Sequence, residues 1–94
     1  MVDYKFKDVL KYMKQHPRVL IIRMRHVPII DATGIQTMKG IYAECKKNHT
    51  KIILSELNSP QVFKELQEAR LLFAIGKANV APTFEEALEK AKKI

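Results

Sequence analysis

The sequence predicts a small α/β domain in which a parallel sheet is flanked by alternating helices. Residues 19–24 and residues 51–55 form two aliphatic runs, rich in valine, isoleucine and leucine, that are typical of buried parallel strands. Stretches with helical periodicity of apolar residues precede and follow each run. The predicted order is helix, strand, helix, strand, helix, strand, helix. Because strands that alternate with helices pair in parallel through crossover connections, this order favours a layered α/β fold.

The first predicted helix precedes the first aliphatic run. Asp3 is a suitable N-cap residue, and Pro17 ends the helix because the residue before a proline avoids helical backbone angles. Between them, four apolar residues repeat at helical spacing: Phe6, Val9, Leu10 and Met13. The pattern predicts an amphipathic helix that ends at His16.

The second predicted helix covers residues 35–47, between the two aliphatic runs. Its apolar stripe consists of Ile35, Met38, Ile41, Tyr42 and Cys45. Cys45 lies on this stripe, so we expect a buried and inert thiol. Gly40 costs the helix about 1 kcal/mol relative to alanine, and we expect close packing against a neighbouring element to be the reason.

The remaining elements follow the second aliphatic run. Ser59 followed by Pro60 is a capping residue with proline in the first turn, which predicts a third helix. Residues 71–76 are typical of a short helix that ends at a glycine, and residues 79–81 of a short strand. A capping box that begins at Thr83 predicts the last helix.

Length and composition exclude several classes of protein. The 94 residues are enough for one domain, and no apolar run approaches the roughly 18 residues of a membrane-spanning helix. The single cysteine excludes an internal disulfide and a multi-cysteine zinc site, and the three histidines lack ligand spacing. No glycine-rich phosphate loop, nucleophile elbow or histidine–carboxylate arrangement is present. We therefore expect no metal, no cofactor and no catalytic residue.

The excess positive charge is concentrated near the N-terminus. The net charge is +7, and residues 1–26 account for +5 of it. A basic surface can attract nucleic acid, an anionic membrane or an acidic protein. The base-stacking aromatic motifs of nucleic-acid readers are absent, so we do not expect nucleic acid as a partner.

The most informative segment is the turn Asp31-Ala32-Thr33-Gly34, between the first strand and the second helix. In parallel α/β sheets, functional residues tend to lie at the carboxyl ends of the strands. In a purely structural interpretation, Thr33 or Asp31 caps the helix and Gly34 permits a tight turn. In a functional interpretation, Thr33 presents a hydroxyl at a helix N-terminus, where an added phosphate would reverse the local charge.

Residues 19–35 resemble the central signature of the STAS domain. This family includes the anti-sigma factor antagonists and the cytoplasmic C-terminal domains of sulfate permease (SulP) anion transporters. The shared pattern is an aliphatic strand, a short loop with a proline, and Asp-Ser-Ser-Gly or Asp-Ala-Thr-Gly at the start of a helix. Later segments are similar too, so the resemblance extends over roughly residues 5–90, and the Asp-Ala-Thr-Gly variant is more like the transporter-linked branch.

The resemblance implies a non-catalytic regulatory domain of a SulP anion transporter. It would act through protein contacts at Asp31, Ala32, Thr33 and Gly34 and the following helix. The implied partner is another protein or the transporter's own membrane domain, at the cytoplasmic side of the inner membrane. The basic N-terminal helix suits a position near an anionic lipid surface. The alternative is a stand-alone, soluble cytoplasmic anti-sigma factor antagonist in which a kinase phosphorylates Thr33. Weak nucleotide binding, which the resemblance also suggests, has no phosphate loop to support it here.

Two departures from the family pattern lead to further expectations. Arg23, Arg25 and His26 stand where many members have Asp, Ser and Gly, so the rim of the loop is expected to be basic. The chain also begins close to its first helix, where members have one or two strands. Residues 1–94 are therefore expected to form one STAS domain that lacks its N-terminal strands. An exposed sheet edge is a template for pairing, so we also expect self-association, such as a homodimer.

Overall fold

Four parallel strands form one sheet in the order β1-β2-β3-β4 within the described part of the chain. The computed structural model describes residues 2–3, 9, 11, 13–15 and 17–93. The strands are β1 (Val2–Asp3), β2 (Val19–Arg23), β3 (Lys51–Ser55) and β4 (Val80–Ala81). The helices are α1 (Ala32–Lys47), α2 (Pro60–Glu68), α3 (Leu71–Ile75) and α4 (Phe84–Lys92), with a 3-10 turn at Lys77–Asn79. The predicted class, a small parallel sheet with alternating helices, is confirmed.

A short strand, β1, lies at the beginning of the chain, ahead of the predicted first helix. Its residue Asp3 pairs through the backbone with Arg23 of β2, a long-range contact that satisfies main-chain donors and acceptors. The predicted capping of the first helix by the Asp3 side chain lies outside the described residues. Val9 and Met13 are helical and buried, as expected. Three other predicted positions of this helix lie outside the described residues: Phe6, Leu10 and His16.

The sheet separates two apolar clusters because alternate residues of a strand face opposite sides. Leu20 and Ile22 of β2 belong to the larger cluster, which also contains the buried residues of α1, α2 and α3. Ile21 and Ile53 belong to the smaller cluster, together with Ala87 of α4. Helices α1, α2 and α3 therefore cover one face of the sheet, and α4 covers the other.

The predicted starts and ends of the later helices are confirmed. The Ser59 hydroxyl accepts a hydrogen bond from the backbone N–H of Val62 at 3.3 Å, with Pro60 in the first turn of α2. Gly76 ends α3 with a φ of 95°, which favours glycine. The Thr83 hydroxyl accepts from the backbone N–H of Glu86 at 3.2 Å and so caps α4. None of the described helices is long and apolar enough to span a bilayer.

Two residues of α1 were assigned a packing role from the sequence. Cys45 is buried, as predicted, with 1% of its surface exposed. Gly40 does not pack closely against a neighbour, so that prediction was wrong. Among the described residues, no atom lies within 4 Å of the position that a Cβ at residue 40 would occupy. Residue 40 lies on the side of the helix opposite the buried stripe, so the apolar periodicity itself argued against close packing at this position.

The buried thiol is expected to react slowly with alkylating agents. Desolvation, with a smaller contribution from the Glu44 carboxylate, raises the pKa of Cys45 from its ordinary value of 9.0 to about 11. Since the thiolate is the reactive form, iodoacetamide at pH 8 should modify the folded protein about 100-fold or more slowly than a cysteine peptide. Mass spectrometry follows the adduct, with protein unfolded in urea as the control. Equal rates for the folded and unfolded protein would contradict this account.

Candidate interaction site at the start of α1

The loop of residues 24–31 connects the carboxyl end of β2 to α1. Its first turn is fixed by two main-chain hydrogen bonds. The N–H of Met24 donates to the carbonyl of Ser55 at 2.8 Å, and the N–H of Val27 donates to the carbonyl of Met24 at 3.1 Å. Beyond this turn, two neighbouring side chains differ in exposure: 71% of Ile29 is exposed, whereas Ile30 is buried in the larger apolar cluster.

The N-terminal turn of α2 holds the second half of the loop. The Ser59 hydroxyl donates to the carbonyl of Pro28 at 2.6 Å. The Gln61 side chain bonds both main-chain groups of Ile30. Its Oε1 accepts from the N–H at 3.0 Å, and its Nε2 donates to the carbonyl at 3.0 Å. The backbone on both sides of Ile29 is thus tied to a helix, which fixes the position of this exposed apolar side chain.

Asp31, rather than Thr33, caps α1. The Asp31 Oδ1 accepts from the N–H of Gly34 at 2.8 Å, and the Asp31 carbonyl accepts from the N–H of Ile35 at 3.0 Å. The helix therefore begins at Ala32, three residues before the predicted start. This result decides between the two capping residues that the sequence left open.

The four predicted site residues lie together at the beginning of α1. Asp31, Ala32 and Thr33 are exposed, and Gly34 is half-buried against the loop. The Thr33 carbonyl accepts from the hydroxyl of Thr37 at 3.0 Å. The Thr33 side chain itself lies at the surface, in the first turn of the helix.

Gly34 permits a close approach between the loop and α1. A Cβ at this position would lie 2.6 Å from Cγ1 of Ile30, well inside van der Waals contact. Since Ile30 is buried and its main chain is held by Gln61, neither partner can move away easily. The predicted role of Gly34 in a tight turn is explained by this contact.

The rim of the loop is less basic than its sequence suggests. Arg25 and His26 are exposed, but Arg23 points away from the rim toward β3 and α4. Its Nη2 lies 2.8 Å from Oε1 of Glu56, its Nε donates to the same oxygen at 2.9 Å, and its guanidinium lies 4.4 Å from the ring centroid of Phe84. Arg23 is therefore part of the structural framework, and of the three residues only Arg25 and His26 are exposed at the rim.

The sequence did not identify the two residues that hold the loop. Ser59 was recognised as a helix cap, but its hydrogen bond to Pro28 joins residues 31 positions apart. No sequence pattern singled out Gln61 as a residue that holds the loop, because glutamine is an ordinary residue in the first turn of a helix. Within the described residues, no group of three or more histidine, cysteine or acidic side chains could hold a metal.

Gln61→Ala is expected to loosen the loop while leaving most of the fold intact. The substitution removes both hydrogen bonds to the main chain of Ile30, which should cost about 1–3 kcal/mol. Amide hydrogen exchange should show faster exchange at Ile30, with urea unfolding as the measure of stability. Gln67→Ala, at an exposed position later in α2, is the control. Unchanged exchange at Ile30 would show that Gln61 does not hold the loop.

The fold and the loop together define a class of protein: a parallel α/β domain with an exposed, rigidly held turn at the start of its first long helix. A family model described as the STAS domain matches residues 2–87. The chain belongs to the STAS domain family, as its resemblance to the family signature predicted.

Two solved structures are similar to this chain over almost its whole length. One is the STAS domain of a SulP transporter from Vibrio cholerae, with 30% identity and a TM-score of 0.82 over 98% of this chain and 76% of that one. The other is a sulfate transporter family protein from Wolinella succinogenes, with 34% identity and a TM-score of 0.82 over 94% of this chain and 71% of that one. A search of curated proteins finds no match.

Proposed function

We propose that this STAS domain is a non-catalytic regulatory domain of a SulP-type anion transporter. The observation that carries the proposal is the similarity to SulP and sulfate transporter proteins over 98% and 94% of the chain. The domain acts by contact through Asp31, Ala32, Thr33 and Gly34 and the start of α1. Its partner is the membrane domain of the transporter or another protein on the cytoplasmic side of the inner membrane.

The geometry of the loop suits a docking role. Ile29 offers an apolar side chain beside the exposed carboxylate of Asp31, and Ser59 and Gln61 hold the intervening backbone. A loop that is already ordered loses little conformational entropy when a partner binds. The excess positive charge of residues 1–26 is suited to a position close to anionic lipid headgroups.

Transport by the full-length protein tests this proposal. Labelled sulfate, the anion named for the similar protein from Wolinella succinogenes, is the probe. Ile29→Asp is the variant because it places a charge at the centre of the docking surface. We expect Ile29→Asp to change the uptake rate at an unchanged protein level. Ala43→Asp is the matched control, on an exposed part of α1 remote from the loop. Equal uptake by wild type and Ile29→Asp would contradict regulation through this loop.

The second candidate function is that of an anti-sigma factor antagonist switched by phosphorylation of Thr33. It rests on the exposure of Thr33 in the first turn of α1, next to the Asp31 cap. A phosphate there adds about −1.5 to −2 charges at pH 7. Repulsion from the Asp31 carboxylate and attraction to the helix N-terminus would then alter the docking surface.

Phosphate transfer tests the second candidate directly. The purified domain is incubated with the protein kinases of its native cell and labelled ATP. If the switch exists, label enters the wild type and Thr37→Ala but not Thr33→Ala. Thr37 is a suitable control because it is the next threonine on the same helix face and its hydroxyl is already hydrogen-bonded. Absence of label on Thr33 with every kinase would contradict the switch.

A further inference from the structure

A second apolar surface lies on α2 and α3, away from the loop. Phe73 is 87% exposed and Phe63 is 42% exposed. The two phenylalanines line a cleft of about 300 Å³ with Gln67, Leu72 and Lys77, which we call the Phe73 cleft. Clustered exposed aromatic side chains are typical of interaction surfaces. Neither the fold nor the proposed docking loop accounts for this surface.

The charge beside the Phe73 cleft restricts what can bind there. Among the described residues, Lys77 is the only charged one that lines the cleft, and Arg70 lies exposed just before α3. If two copies met through the same cleft, their Lys77 side chains would approach each other, and like charges would oppose the contact. The cleft is therefore suited to an apolar side chain accompanied by a carboxylate.

Leu88 and Glu85 on α4 form such a combination. Ile29 and Asp31 form another, but the Asp31 carboxylate already caps α1. Leu88 is 38% exposed and is one of four large apolar side chains exposed among the described residues. Glu85 lies one turn before it on the same side of the helix, and Glu89 follows it. Glu89 forms an exposed ion pair with Lys92 at 3.4 Å. Glu85 forms no ion pair within the described residues, so its carboxylate is available to a cation of another molecule.

We propose that the Phe73 cleft binds Leu88 of a second copy of this chain, with Glu85 of that copy beside Lys77. A cavity of about 300 Å³ has room for a leucine side chain. The cleft and α4 lie on opposite faces of the sheet, so the two surfaces of one molecule cannot meet each other. Copies therefore associate head to tail, and the contact can extend to further copies. This surface is separate from the sheet edge at β1.

The contact is small, because it is formed around one anchoring side chain, and association is accordingly weak. Sedimentation velocity of the 94-residue chain at concentrations up to about 1 mM covers the range of weak complexes. We expect the average mass of the wild type to rise with concentration. Phe73→Ala, Leu88→Ala and Glu85→Lys should each remain monomeric. Ile29→Ala also truncates an exposed apolar side chain, but outside the proposed contact, and it should associate like the wild type.

Mixing two variants distinguishes head-to-tail pairing from other arrangements. Phe73→Ala retains Leu88, and Leu88→Ala retains the cleft, so one productive contact remains when the two proteins are combined. We expect each variant alone to be monomeric and their equimolar mixture to form a dimer that does not grow further. Circular dichroism establishes that each variant is folded, and Glu85→Lys replaces Leu88→Ala if the latter is not.

Several results would overturn the proposal. A wild type that stays monomeric at the highest concentration would show that the copies do not bind each other. A monomeric mixture of Phe73→Ala with Leu88→Ala would exclude the pairing of cleft and anchor. Association that persists in Leu88→Ala and Glu85→Lys but is lost in Phe73→Ala would show that something other than α4 occupies the cleft.

Discussion

Gly34→Ala is expected to destabilise the domain by about 1–3 kcal/mol, although alanine is normally the better helix former. The added Cβ would lie 2.6 Å from Cγ1 of Ile30. To relieve this contact, either Ile30 or the start of α1 must shift. Ile30 is buried and hydrogen-bonded to Gln61. Either shift disturbs the docking loop. Urea unfolding measures the loss, and amide exchange at Ile30 reports the disturbance of the loop.

Gly40→Ala is the matched control, because it makes the same change in the same helix. No described atom lies within 4 Å of the added methyl group, and the backbone is helical. We expect this variant to gain about 0.5–1 kcal/mol from helix propensity. The two glycines of α1 should therefore respond with opposite signs. A gain of stability in Gly34→Ala would show that Ile30 yields freely and that the close approach has no structural role.

Arg23→Ala is expected to destabilise the domain by about 2–4 kcal/mol, the largest effect among the substitutions considered. The side chains of Arg23 and Glu56 are only 20% and 13% exposed, and their atoms approach to 2.8 Å. The truncation leaves the poorly solvated Glu56 carboxylate with the Ser55 hydroxyl, at 3.3 Å, but without a cation. It also removes the cation from the face of Phe84. The packing of α4 on the sheet and the pairing at the carboxyl ends of β2 and β3 should both become less stable.

A double-mutant cycle with Glu56→Gln isolates the interaction between the two side chains. We expect a coupling of about 1–3 kcal/mol, because both groups are largely removed from water. Lys92→Ala is the control, since its ion pair with Glu89 has side chains 73% and 68% exposed and should contribute less than about 0.5 kcal/mol. Equal effects of Arg23→Ala and Lys92→Ala would contradict a structural role for Arg23.

The sequence alone predicts the features of the fold that local patterns specify. The strand at Lys51–Ser55, the cap at Ser59 and the end of α3 at Gly76 follow from aliphatic runs and capping residues within a few positions. The resemblance to the STAS signature located the candidate loop for the same reason, because Asp31 to Gly34 are contiguous. The structure adds that Asp31 is the cap and that Thr33 remains exposed.

The features that were missed depend on contacts between distant residues. The strand β1 was missed because its Asp3 pairs with Arg23 of β2, 20 positions away. Gln61 and Ser59 hold the loop through hydrogen bonds that span 31 positions, and Arg23 meets Glu56 across 33 positions. Local sequence patterns contain no information about contacts between residues that are so far apart in the chain. The residues next to Arg23 in the sequence could not show that its side chain turns away from the rim and toward Glu56.

The proposed docking of the loop before α1 onto the membrane domain of an anion transporter is open to a direct test. Photo-crosslinking from position 29 in the native cell tests it most directly, since Ile29 is the most exposed apolar side chain of the loop. The full-length protein carries a photoreactive amino acid there, and mass spectrometry identifies the crosslinked peptide. We expect adducts with a membrane-embedded transporter segment, and none from position 43 on the exposed face of α1. Adducts only with a soluble kinase-like protein, or equal adducts from both positions, would contradict the claim.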